Sequence, residues 1–275
     1  MQKIELFKGL FSSRIGFGCA SVLGAVDGVR ARRALHCALD HDINHFDLAR
    51  SYGYGEAERF IGQVLKGRRN EVIIASKFGI KANWKAGVLK PVKPLVRLLK
   101  SRVVKEQKSI TNAKGIGDRF HDRIEITPRN MILSLEKSLS ELQVDYLDHF
   151  FVHEPISTIY NIEELIFTSE NLKKAGKIRC FGIAFNITEK HLHEAYLDKF
   201  DLVQFNKPVI PDEYHSILKE RGAKKNVLFS ALSGRGAGQS ATGALQQLAY
   251  DFQESVILCS MFSEEHIKEN ASLFN

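Results

Sequence analysis

The chain has 275 residues, 44% hydrophobic and 26% charged, with a net charge of +7. That length buries a large core and fits one (β/α) barrel or two small domains, and the ordinary apolar fraction excludes a disordered chain or a coiled coil. No apolar run reaches the roughly 18 residues of a membrane span, so no membrane partner is expected. The start, MQKIELFKGLFSSR, lacks the apolar centre and small-residue cleavage site of a signal peptide. Cys19, Cys37, Cys180 and Cys259 form no CxxC pair, which predicts reduced, buried thiols in a cytoplasmic protein.

In chain order, IELF near the start reads as half of a small hairpin closing the bottom of a barrel. Eight β-like runs follow: RIGFGCA (14–20), NHFDL (44–48), EVIIASK (71–77), YLDHFFVH (146–153), KIRCFGIA (177–184), DLVQFN (201–206), NVLFSA (226–231) and SVILCS (255–260). The segments between them have helical spacing, such as RARRALHCALDHD after the first run. In PRNMILSLEKSLSEL, Met131, Leu135, Leu139 and Leu142 fall on one face, with Thr127 as N-cap and Pro128 at the first helical position. Eight strands alternating with helices predict an α/β protein, a single (β/α)8 TIM barrel spanning residues 1–275, rather than a doubly wound sheet. A Rossmann fingerprint is missing: Gly16 and Gly18 are followed by Ser21 where a glycine belongs.

The charge is uneven. Residues 81–123 hold twelve of the 39 Lys and Arg against Glu106, Asp118 and Asp122, an excess of nine. This long basic insertion interrupts the connection after the third strand, and its length exceeds that of an ordinary loop. On a barrel it emerges at the C-terminal face, where a solvated flap is the plainer reading and a substrate-selecting lid the sharper one. Because one segment carries the excess, nucleic acid is not an expected partner.

Three consecutive strands end in Asp47, Lys77 and His153, and barrel geometry brings such ends to one mouth. Tyr52, in a loop bordered by Gly53 and Gly55, can hang over that mouth. A free tyrosine titrates near 10, too high for efficient proton transfer at neutral pH. A neighbouring ammonium is expected to lower that value, and Asp47 to keep Lys77 charged and turned inward. The histidines lack HxH or HExxH spacing, so no metal site is predicted.

The motifs DLARSYGYG, VIIASKFG and VDYLDHFFVHEP, followed in order by AGKIRCFGIA, LVQFN and HIKENASL, resemble the aldo-keto reductase superfamily over nearly the whole chain outside 81–123. The resemblance implies an NAD(P)H-dependent oxidoreductase that reduces a small aldehyde or ketone to an alcohol by hydride transfer. Carried over residue by residue, Tyr52 is the general acid, Lys77 and Asp47 tune it, and His153 orients the carbonyl and stabilises oxyanion charge. Glu58 reads as a structural hydrogen-bonding residue and Tyr54 as a loop aromatic beside the pocket. Phe17, Trp84, Tyr54 and Phe78 are candidates for an apolar pocket wall.

For the cofactor, the resemblance implies Gln204 near the nicotinamide, Ser230, Leu232, Gly234 and Arg235 around the pyrophosphate, and Ser260 and Asn270 toward adenine. Ala184 and Phe185 occupy the places where the family carries the Ser and Asn that grip the carboxamide, leaving Asn186, one residue late, as substitute. NADP(H) follows from the family. NAD(H) stands beside it because Met261 and Phe262 follow Ser260, and His266 stands where a basic residue is common, so the usual Arg or Lys clamp for a 2′-phosphate is altered. A nucleotide-sensing or regulatory barrel with little turnover is the alternative function. Oligomeric state is left open by the sequence.

Overall fold

The computed structural model describes residues 1–83, 85, 120–236 and 238–275. Trp84 and most of the basic stretch 81–123 lie outside the described residues. The first two strands, β1 (Lys3–Phe7) and β2 (Leu10–Ser13), form an antiparallel hairpin, as IELF predicts. Ile4, Leu6 and Leu10 pack against inward-facing Ile73, Cys180, Val227 and Val256 and so plug one end of the barrel.

Eight parallel strands then close on themselves. In chain order they are β3 (Ile15–Gly18), β4 (His45–Asp47), β5 (Ile73–Phe78), β8 (Leu147–His153), β9 (Ile178–Phe185), β10 (Leu202–Asn206), β11 (Asn226–Phe229) and β12 (Ser255–Cys259). Each coincides with one of the eight predicted runs. The remaining pair, β6 (Ile80–Ala82) and β7 (His121–Arg123), is a small antiparallel ladder after β5. Among the described residues the α-helices are α1 (Gly28–Asp40), α2 (Ala57–Val64), α3 (Pro128–Leu142), α4 (Ile162–Lys174), α5 (Pro211–Arg221), α6 (Ala241–Asp251) and α7 (Glu264–Ser272). After β9 the chain runs instead through two 3-10 segments, Ile187–Leu192 and Glu194–Lys199.

Parallel strands are covered on both faces, which is why these runs are nearly continuously apolar. Alternation sorts them into two cores. One set, including Ala75, Phe151, Ala184 and Leu258, fills the barrel, and the other, including Phe17, Phe46, Phe78 and Phe150, packs under the helices. Phe17 and Phe78 therefore do not wall a pocket. Both are fully buried on the outward face, because Gly16, Gly18 and Lys77 take the inward positions. Helix α3 starts as predicted, with Thr127 Oγ1 accepting from Asn130 N and Pro128 in the first turn. At the closed end, the Arg14 guanidinium donates to the carbonyls of Ala249, Phe252, Gln253 and Ser255, satisfying groups that the end of α6 leaves open. No helix among the described residues is long and apolar enough to cross a membrane.

Candidate active site

The C-terminal ends of β4, β5 and β8 carry Asp47, Lys77 and His153 into one cavity of about 890 Å3. Lys77 Nζ stands 2.6 Å from Asp47 Oδ2 and donates to the Leu48 carbonyl at 2.9 Å and to the Tyr52 hydroxyl at 3.3 Å. The other Asp47 oxygen accepts from Gln204 Nε2 at 3.2 Å. Both charges are buried, so each needs this full set of partners to offset its desolvation. The Tyr52 and His153 rings meet edge to face, with centroids 5.9 Å apart.

Tyr52 is delivered by the turn Tyr52–Gly55, in which Gly53 has φ 60° and Gly55 φ 83°. A Cβ on Gly53 would lie 2.7 Å from the Val22 carbonyl oxygen, and one on Gly55 3.1 Å from Ala82 Cβ. The loop thus passes through a slot that side chains would close. Its flank is pinned by His121 Nε2, which donates to the Ser51 carbonyl at 3.1 Å, and by Tyr54, whose ring packs edge-on against Phe120 at 5.7 Å. Glu58 has the structural role expected of it: one oxygen accepts from Ser76 Oγ at 2.7 Å and the other pairs with Arg50 at 2.5 Å.

The electrostatics correct one expectation. Burial pushes the Tyr52 phenol up to about 12, with Asp47 adding to the rise, and Lys77 only partly offsets it. Proximity to an ammonium does not bring the value below that of free tyrosine. Burial alone would disfavour the Lys77 ammonium, but Asp47 and then Tyr52 hold its pKa above the ordinary value. Burial, with Lys77 and Arg123 nearby, drives His153 well below the usual imidazole range. At neutral pH the set is a neutral phenol, a lysine ammonium held against Asp47 and a neutral imidazole.

Of the cofactor candidates, Gln204, Ser230, Leu232, Gly234, Arg235, Ser260 and Asn270 all line this cavity. Ser230 and Gly234 have positive φ in a turn closed by Ser233 N donating to Ser230 O at 2.9 Å. Asn186 does not line it. Its Oδ1 caps the 3-10 segment after β9, accepting from Thr188 N at 3.3 Å, because the strand continues through Phe185 and the chain turns only at Asn186. A nicotinamide dinucleotide fits the remaining set. Among the described residues the buried Gln204 Oε1 atom has no hydrogen-bond partner, an acceptor that a carboxamide N–H would satisfy. The cavity is of ligand-binding size, with small residues along the loop after β11. Among the described residues the only Lys or Arg lining it are Lys77 and Arg235, while His266 and Glu269 stand with Asn270.

Sequence reasoning overlooked Gly18, Ala20 and Glu154 in the cavity wall. The signal for Gly18 is its alternation with Gly16 along β3, and for Glu154 its place directly after His153.

The aldo/keto reductase family pattern matches residues 14–229. Aldo-keto reductase YhdN of Bacillus subtilis is 29% identical over 182 residues, 64% of this chain and 44% of that protein. A probable voltage-gated potassium channel subunit beta of Arabidopsis thaliana is 36% identical over 201 residues, 71% of this chain and 50% of that protein. The matched stretch thus spans about half the length of these two relatives. The solved structure of an aldo-keto reductase from Bacillus halodurans, 24% identical, superposes with a TM-score of 0.68 over 99% of this chain and 90% of that one. With its barrel, its strand-end residues and a family pattern covering most of its length, the chain belongs to the aldo/keto reductase family.

Proposed function

We propose that the chain is an NAD(P)H-dependent oxidoreductase that reduces a small aldehyde or ketone to the alcohol. The observation that carries this reading is the Tyr52 hydroxyl 3.3 Å from Lys77 Nζ, with Asp47 2.6 Å behind it, at the wall of one cavity with His153. A bound nicotinamide nucleotide would supply the hydride. Gln204, the segment Ser230–Arg235, Ser260 and Asn270 would hold it. Tyr52, protonated at neutral pH, donates its proton to the carbonyl oxygen as negative charge develops there. The Lys77 ammonium stabilises the phenolate left behind, and Asp47 keeps that ammonium charged and aimed. Neutral His153 orients the carbonyl by hydrogen bonding.

The sparse cationic lining supports NAD(H) as well as NADP(H), since a 2′-phosphate ordinarily takes Arg or Lys. We read residues 1–275 as one barrel domain and 81–123 as a basic flap or lid inserted at its C-terminal face. The β6–β7 ladder, which leaves and rejoins the barrel between β5 and α3, supports that reading. The fluorescence of NADH and NADPH titrated with the protein tests the cofactor claim, with NADPH expected to bind no more than about tenfold tighter. Single-turnover reduction of a reactive aldehyde tests the chemistry: Tyr52→Phe is expected to slow it by about 100-fold or more. A mutant as fast as the parent removes Tyr52 from its role. Tight nucleotide binding with no hydride transfer favours a sensing or regulatory protein instead.

A further inference from the structure

Glu154, the residue after His153, is held in an unusual backbone conformation at the cavity wall. Its φ is 41°, in the left-handed region, although Pro155 follows and the residue before a proline is normally extended. Its main chain is fixed from both sides: its N–H donates to the Ala184 carbonyl at 2.6 Å, and its own carbonyl accepts from Arg123 Nη1 at 2.5 Å. Glycine or asparagine takes such a φ more readily, yet this position carries a carboxylate.

The charges around it give that carboxylate a distinct place. Asp47 and Lys77 neutralise each other. Among the described residues the other charged side chains of the cavity wall, Arg235 and Glu269, come from the loop after β11 and from α7. Arg123 is exposed, bonds to the Glu154 main chain, and lines a separate cleft of about 610 Å3 on the other side of His153. Among the described residues the Glu154 carboxylate has no ion-pair partner, and Glu154 lines the same cavity as Tyr52.

We propose that Glu154 selects the substrate: its carboxylate favours carbonyl compounds that carry a cationic group near the reacting carbon and disfavours those that carry a carboxylate or phosphate there. The inference rests on the reductase reading. The strained backbone fixes where the chain leaves the cavity wall, and a carboxylate in the cavity that holds the proton donor would act on binding more than on the chemical step.

Three aldehydes of one shape test it: benzaldehyde, 4-carboxybenzaldehyde and 4-(trimethylammonio)benzaldehyde, compared in the full chain and in Glu154→Gln. In the parent, kcat/KM is expected to fall from the cationic through the neutral to the anionic aldehyde. In Glu154→Gln the cation-to-anion ratio is expected to shrink by about 10- to 100-fold, mostly through KM and less at high salt. Glu154→Asn, which takes the positive φ more readily, should compress the ratio in the same way. A parent that prefers the anionic aldehyde, or variants with the parent's ratio, overturn the inference while leaving the reductase reading intact. A parent that reduces none of the three with either nucleotide overturns both.

Discussion

Asp47 and Lys77 sit 2.6 Å apart with almost no exposure, and their remaining bonding capacity goes to Leu48, Gln204 and Tyr52. Breaking a buried pair leaves one charge stranded, at a cost of about 3–5 kcal/mol, so neither partner is replaceable on its own. The pair keeps a permanent cation next to a phenol that stays protonated. This arrangement predicts the pH dependence of the chemical step. Tyr52, pushed up to about 12, keeps its proton throughout the working range. His153 is lowered well below 6.5, so it takes up a proton only in acid far below that value. Single-turnover reduction measured from pH 6 to 9.5 is therefore expected to be flat. An inflection near 6.5 that disappears in His153→Gln would show that the imidazole titrates normally and would sink the neutral-histidine assignment.

At the scale of elements, the turn Tyr52–Gly55 does the placing. Ala at position 53 would have to hold φ 60° with its Cβ 2.7 Å from the Val22 carbonyl oxygen, which costs roughly 1–2 kcal/mol for the conformation alone. Gly53→Ala is thus expected to lower Tm by several degrees and to slow single turnover about tenfold or more, since small misplacements of a reacting group are costly. Loss of stability with an unchanged rate would mean that the turn does not set the phenol's position. What the sequence made legible here follows from periodicity. Apolar runs of strand length located all eight barrel strands, and the polar residues closing three of them marked the mouth. Alternation was also available but went unused for Phe17 and Phe78, which one step of the two-residue period sends outward. Asn186 failed for a related reason: motif spacing counts residues, whereas a strand that runs on through Phe185 decides where the side chain is spent. The balance of burial against the Lys77 charge at Tyr52 was illegible, because it depends on depth, which a linear sequence does not carry.

Taken as a whole, the barrel encloses a second polar layer that the chemistry does not use. His45 and His149 stand two and four residues before Asp47 and His153 on the same inward-facing rows, with ring centroids 5.5 Å apart. Both are fully buried. His45 Nδ1 bonds to Ser12 Oγ at 2.9 Å, but His45 Nε2 and both nitrogens of His149 have no partner among the described residues. His149 stacks on Phe151. Burial lowers His149 to about 3, and burial together with His149 and Lys77 lowers His45 well below the usual range. In the unfolded chain both titrate near 6.5. Below that pH the unfolded state binds more protons than the fold, so stability falls as pH drops from about 6.5 toward the folded values. For His149 alone the loss reaches about 2 kcal/mol between pH 7 and pH 5, since each unit is worth about 1.4 kcal/mol. Phenylalanine keeps a flat aromatic ring, with no nitrogens to leave unpaired and nothing to protonate. His149→Phe is therefore expected to lose about 2 kcal/mol less stability than the parent between pH 7 and pH 5, as read from urea midpoints at the two pH values. Equal losses in the two proteins would mean that the imidazole is hydrated or charged inside the fold, and that the acid sensitivity of this barrel lies in its carboxylates.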